Sequence, residues 1–99
     1  MSDLLTVYVS IGNSDDKLSQ KGWHEFWIAL RSAVVQAAEE IHGEWLSIPV
    51  APYQNACICF DIHVSNAARL KEELASIAHV FRQSAITWAE ASTEFLLPR

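Results

Sequence analysis

Asn55-Ala56-Cys57-Ile58-Cys59-Phe60-Asp61-Ile62-His63-Val64 decides the fold. β-Branched and aromatic residues alternate here with a second set of residues, the period of a strand. Ala56, Ile58, Phe60, Ile62 and Val64 form one face, apolar throughout, while Cys57, Cys59, Asp61 and His63 form the other. The stretch therefore reads as a central β-strand, buried on one side and carrying thiols, a carboxylate and an imidazole on the other.

Upstream, Leu4 to Ile11 alternates in the same way, with Leu5, Val7, Val9 and Ile11 toward a core and Thr6, Tyr8 and Ser10 away from it. Gly12-Asn13-Ser14-Asp15-Asp16-Lys17 ends this first strand, since Gly, Asn and Asp favour turns. A helix is predicted from Ser19 to His42, with Ser19 as N-cap and Gly43 as the residue that ends it. Its stripe is Trp23, Phe26, Trp27, Leu30, Val34, Ala37 and Ile41, spaced by three and four.

Glu44 to Val50 is the second strand, placed at an edge by Pro49. Pro49 to Asn55 forms the turn into the central strand. A second helix, Ala67 to Arg82, is capped by Ser65 or Asn66 and buries Leu70, Leu74, Ile77, Ala78 and Phe81. Ser84 to Glu90 is the fourth strand. His24, His42 and His79 all fall on helices at spacings that form no pair. The four Trp are read as core anchors, with Trp45 and Trp88 also suited to an open sheet face.

The order is βαββαβ. Two right-handed crossings place both helices on one face of a four-stranded antiparallel sheet. The predicted class is thus α+β, a ferredoxin-like single domain over residues 1–99, with 90–99 as a C-terminal tail. Such a sheet has one face under the helices and one face open.

Composition narrows the function. Ninety-nine residues suffice for one core, and a hydrophobic fraction of 51% belongs to a folded chain. No apolar run approaches the ~18–20 residues of a membrane span. Met1-Ser2-Asp3-Leu4-Leu5 lacks the basic segment of a secretory signal, so a cytoplasmic location is expected. Cys57 and Cys59 are the two cysteines, and their ~7 Å spacing along a strand lies at or past the disulfide limit, in keeping with a reducing compartment. Seven Lys and Arg against twelve Asp and Glu give a net charge of −5, poorly suited to a phosphate backbone.

The open face is where function is sought. Cys57, Cys59, Asp61 and His63 are all metal-ligand types, yet a row along one strand spans ~20 Å and cannot close around one ion. At most two or three of them join ligands from a neighbouring strand. Val7 to Asn13 has some likeness to the first strand of RNA-recognition motifs, but the third strand offers Cys57, Cys59 and Asp61 where that family sets aromatics and a basic residue. Direct nucleic-acid binding is therefore not expected. Acylphosphatases share the length and element order, but their phosphate-cradling Arg is absent.

Asp15 and Asp16, with Asn13, offer an alternative: a divalent-metal site in the loop after the first strand, as in the ferredoxin-like nucleases of CRISPR adaptation. That reading makes the chain a small metal-dependent hydrolase or nuclease built on Asp15 and Asp16, with His63 as a further contributor. No Walker loop, Gly-x-Ser-x-Gly or His-Glu-x-x-His occurs.

Three segments carry a resemblance: Ser10-Ile11-Gly12-Asn13-Ser14-Asp15-Asp16-Lys17-Leu18-Ser19, Gln54-Asn55-Ala56-Cys57, and Arg82-Gln83-Ser84-Ala85-Ile86-Thr87-Trp88-Ala89. They resemble a family of small actinobacterial and phage proteins with no assigned activity. The resemblance implies a phage or mobile-element origin and transfers no functional residue. The expectation is a non-catalytic interaction module with no cofactor and no catalytic residue. It self-associates as a homodimer through Tyr8, Cys57, Cys59 and the apolar Phe95-Leu96-Leu97 tail, with a host protein as a further partner.

Overall fold

A computed structural model of the chain describes residues 3–13, 18–48 and 53–99. Its elements are β1 (Leu4–Gly12), α1 (Gln20–Ala37), β2 (Glu40–Leu46), β3 (Asn55–His63), α2 (Val64–Val80) and β4 (Thr87–Ala91). The four strands form one sheet in the order β2-β3-β1-β4, and every pair is antiparallel. This is the expected ferredoxin-like arrangement, with β3 and β1 at the centre.

Apolar alternation sets the register of the central pair. Val7 lies opposite Phe60 and Val9 opposite Ile58, and all four are fully buried. A slip of one residue would turn both apolar rows to solvent. The rows meet Trp23, Phe26, Trp27, Leu30 and Val34 of α1 and Leu70 and Leu74 of α2 in one core. Phe26 packs on Phe81 at 5.2 Å between ring centroids, and Trp88 meets Phe60 edge-on at 6.2 Å. Trp88 thus belongs to the helix side of the sheet. Trp45, opposite Cys57, lies on the open side.

Ser19 caps α1 as expected, its Oγ accepting from Gly22 N at 3.1 Å. The helix ends earlier than its stripe implied. Ala38 is extended at ψ 145°, and Glu39 N donates to Asp61 O at 2.8 Å, which begins the pairing of β2 with β3. Ile41 lies opposite Phe60 and His42 is in a strand, not on a helix. Ala37-Ala38-Glu39-Glu40 are good helix formers, but a ladder of sheet hydrogen bonds outweighs a propensity of tenths of a kcal/mol per residue. β2 consequently runs over Glu40–Leu46 and not from Glu44 to Val50. The expected end of that strand and its turn, Pro49 to Pro52, lie outside the described residues.

The start of α2 also differs. His63 is its N-cap, Val64 its first residue, and Val64 is half-exposed instead of continuing the buried row of β3. Gln83 N donates to Ala78 O and Arg82 N to His79 O at the other end. That pairing is a Schellman ending, with Arg82 at φ 57° where glycine is usual. β4 starts at Thr87, three residues after the expected Ser84. Among the described residues, no helix is long and apolar enough to cross a membrane.

Candidate functional site

The open face presents Thr6, Tyr8 and Ser10 of β1 beside Asp61, Cys59 and Cys57 of β3, in that pairing. Gly43 and Trp45 of β2 flank the same two cysteines. Ala89 of β4 lies beyond Tyr8. The sequence-predicted row is therefore on the open face, but the structure divides it into three groups with different surroundings.

Cys57 and Cys59 are free and half-buried. With Tyr8, Gly43, Glu44 and Trp45 they line a shallow depression of ≈ 250 Å³. Gly43 supplies no side chain to cover it, and a Cβ placed there would meet nothing within 4 Å. Trp45 is 55% and Tyr8 43% exposed at its walls. Interaction with the Cys59 side chain, with further contributions from burial and from Cys57, holds the Tyr8 phenol above its ordinary range. The apolar tail does not shield the thiols within the chain: Phe95, Leu96 and Leu97 are 85%, 85% and 83% exposed.

Asp61 belongs to a second group. Thr6 Oγ1 donates to Asp61 Oδ1 at 2.7 Å, and His42 Nε2 lies 3.0 Å from the same oxygen. Glu40 is the cross-strand partner of Asp61. The register passes from Ile41–Phe60 to Gly43–Cys59, so His42 is the extra residue of a β-bulge. Bulges re-aim side chains, and this one brings the His42 imidazole to Asp61. Glu40, His42 and Asp61 place one ligating atom each within 4.8 Å of one another. The Thr6 hydroxyl, and after it His42, holds the Asp61 carboxyl below its ordinary range. The bond to Asp61 in turn raises His42, against the opposing effect of desolvation.

His63 forms the third group and is a helix cap, not a ligand partner of Asp61. Its Nδ1 lies 2.8 Å from Ser65 Oγ and accepts from Ser65 N at 3.3 Å, while Nε2 is 3.9 Å from Asp3. Asp15 and Asp16 lie outside the described residues. Asn13, their supposed companion, is 1% exposed and structural. Its Oδ1 accepts from Leu18 N, and its Nδ2 donates to Leu18 O and Gln54 Oε1.

On the helix side, a second cavity of ≈ 380 Å³ opens between α2 and the segment before β4. Leu74, Ala78, Ile86 and Trp88 line it, with Lys71 Nζ 5.1 Å from the Trp88 ring centroid.

No family model matches the chain, and no curated protein matches it in sequence. Among solved structures it is similar to a DUF3240 family protein from Shewanella baltica OS155, at 10% identity and a TM-score of 0.57, over 100% of this chain and 99% of that one. It is also similar to a dimeric ferredoxin-like protein of unknown function from Thermobifida fusca YX, at 8% identity and a TM-score of 0.59, over 94% of each chain. At these identities the likeness shows the fold alone.

Proposed function

We propose that the protein is a non-catalytic interaction module that pairs with a second copy of itself through the open sheet face. The observation that carries this reading is the uncovered depression with Tyr8 and Trp45 at its walls and Cys57 and Cys59 at its floor. Tyr and Trp are the residues on which interface energy concentrates. A face built on the central strands is suited to two-fold pairing, in which the same patch serves both partners. The dimeric state of the Thermobifida ferredoxin-like protein supports a second copy as the occupant. Phe95, Leu96 and Leu97 supply a further apolar segment for the rim.

The test is a native mass spectrum of chelator-treated protein, with Tyr8→Glu and a chain truncated after Ala91 alongside. The wild type is expected as a dimer. Tyr8→Glu sets two carboxylates into the shared patch, where like charges cost several kcal/mol, and should weaken the dimer at least ~100-fold. Truncation should weaken it less. A wild-type monomer, or a dimer indifferent to Tyr8→Glu, overturns the reading. The net charge of −5 then favours a basic host protein as the occupant of the face.

A further inference from the structure

We infer that Glu40, His42 and Asp61 form a binding site for a divalent first-row transition-metal ion, independent of the self-association proposed above. The row along β3 cannot close around an ion, but the sheet supplies the missing ligands from β2. One imidazole nitrogen and two carboxylate oxygens lie within 4.8 Å of one another. His42 Nε2 and Asp61 Oδ1, 3.0 Å apart, already have the spacing of neighbouring ligands on an ion bound at ~2.0–2.2 Å. The exposed Glu40 side chain is free to complete the set by rotation.

Two further observations, one of them from outside the triad, favour a built site. Thr6, on a third strand, donates to Asp61 at 2.7 Å, the kind of outer hydrogen bond that orients a ligating carboxylate. The β-bulge of β2 makes His42 an extra residue and brings it to Asp61, where regular pairing would set Ile41, His42 and Gly43 opposite successive residues of β3. The donor set also selects among metals. An imidazole with two carboxylates suits Zn²⁺ and its first-row neighbours better than Mg²⁺ or Ca²⁺, which prefer oxygen alone. Three protein ligands leave a fourth position open, the pattern of an exchangeable site. His42 and Asp61 have side chains 40% and 18% exposed, so an ion can reach both.

Titration of chelator-stripped protein with Zn²⁺, followed by calorimetry and by ¹H–¹⁵N spectra, tests the assignment. One ion per chain is expected, with shifts confined to residues around 40–43 and 61. His42→Ala and Asp61→Asn should each weaken binding at least tenfold, and Thr6→Val, which touches no ion, by about tenfold through the outer bond. Because His42 is exposed, the folded state of His42→Ala is readily confirmed from the same spectra. Cys57→Ser with Cys59→Ser, and Asp15→Asn with Asp16→Asn, should leave affinity unchanged. Absence of Zn²⁺ binding overturns the inference. So does binding that survives His42→Ala or is lost in the cysteine or Asp15/Asp16 variants.

Discussion

Replacing Thr6 with Val removes one hydroxyl from the open face while nearly keeping side-chain volume. Strand propensity is preserved, since both residues are β-branched. The change therefore isolates the 2.7 Å bond to Asp61. A hydrogen bond to a charged group contributes ~1.5–3 kcal/mol, and partial solvent access to Asp61 reduces this to about 1 kcal/mol. In a domain of this size that corresponds to a fall in Tm of ~4–8 °C at neutral pH. The loss should itself depend on pH. The folded state holds the Asp61 carboxyl below its ordinary value, first through Thr6. Its stabilising contribution is thus full above the unfolded pKa, ~3.9, and fades as pH falls through the folded one. Thermal unfolding of metal-free wild type and Thr6→Val between pH 7 and pH 2 should give curves that converge at the acid end. Carboxyl ¹³C titration should show Asp61 moving up toward its ordinary range, though still held down by His42. A constant gap between the curves at every pH, or an unmoved Asp61 titration, would show that the Thr6 bond does not favour the ionised carboxylate.

Arg82→Gly should stabilise the chain by up to about 1 kcal/mol in chemical denaturation, because a left-handed L-residue costs ~1–2 kcal/mol and glycine returns part of that gain as entropy. Asn13→Ala should cost about 2–3 kcal/mol in the same assay, since it strips partners from Leu18 N, Leu18 O and Gln54 Oε1 beside the core. In metal-free protein the His42 imidazole should titrate above its ordinary 6.5 by NMR and return toward it in Asp61→Asn. Asp61 of β3 and Glu40 of β2 are the charged groups raising it, and Thr6 of β1 is neutral. The sign is opposite to that of Asp61: this contribution is full below pH 6.5 and is lost as pH rises through the folded value.

The two central strands were legible because each is buried on one side only. Val7, Val9, Ile58, Phe60 and Ile62 alternate with polar or small residues, and the alternation itself specifies register and neighbour. The first turns of α1 were equally legible, through the Ser19 cap and the stripe from Trp23 to Val34. The boundary between α1 and β2 was not. Ala37, Ala38, Glu39 and Glu40 carry no breaker, and Ile41 extends the helical spacing by coincidence; its partner Phe60 is fixed only by the fold. The Glu40–His42–Asp61 cluster is hidden in sequence for the same reason, because an imidazole on a helix has no carboxylate of β3 to meet. Gly43, read as a helix end, was the available signal of a bulged edge strand. His63 misled in the opposite direction: in sequence it is a ligand type next to Asp61, whereas in the fold its ring caps α2. Tyr8, Cys57 and Cys59 share one face by simple alternation, and Trp45 joins them where the bulge sets its register.

Concentration-dependent ¹H–¹⁵N spectra of the metal-free wild-type chain are the sharpest test of the proposed association through the open face. Raising the concentration should shift and broaden the amides of Tyr8, Gly43, Trp45, Cys57 and Cys59, and Tyr8→Glu should abolish the change. Changes confined to Leu74, Ala78 and Ile86 at the helix-side cavity, or spectra that do not vary with concentration in a chain that remains monomeric, would rule out pairing through the open face.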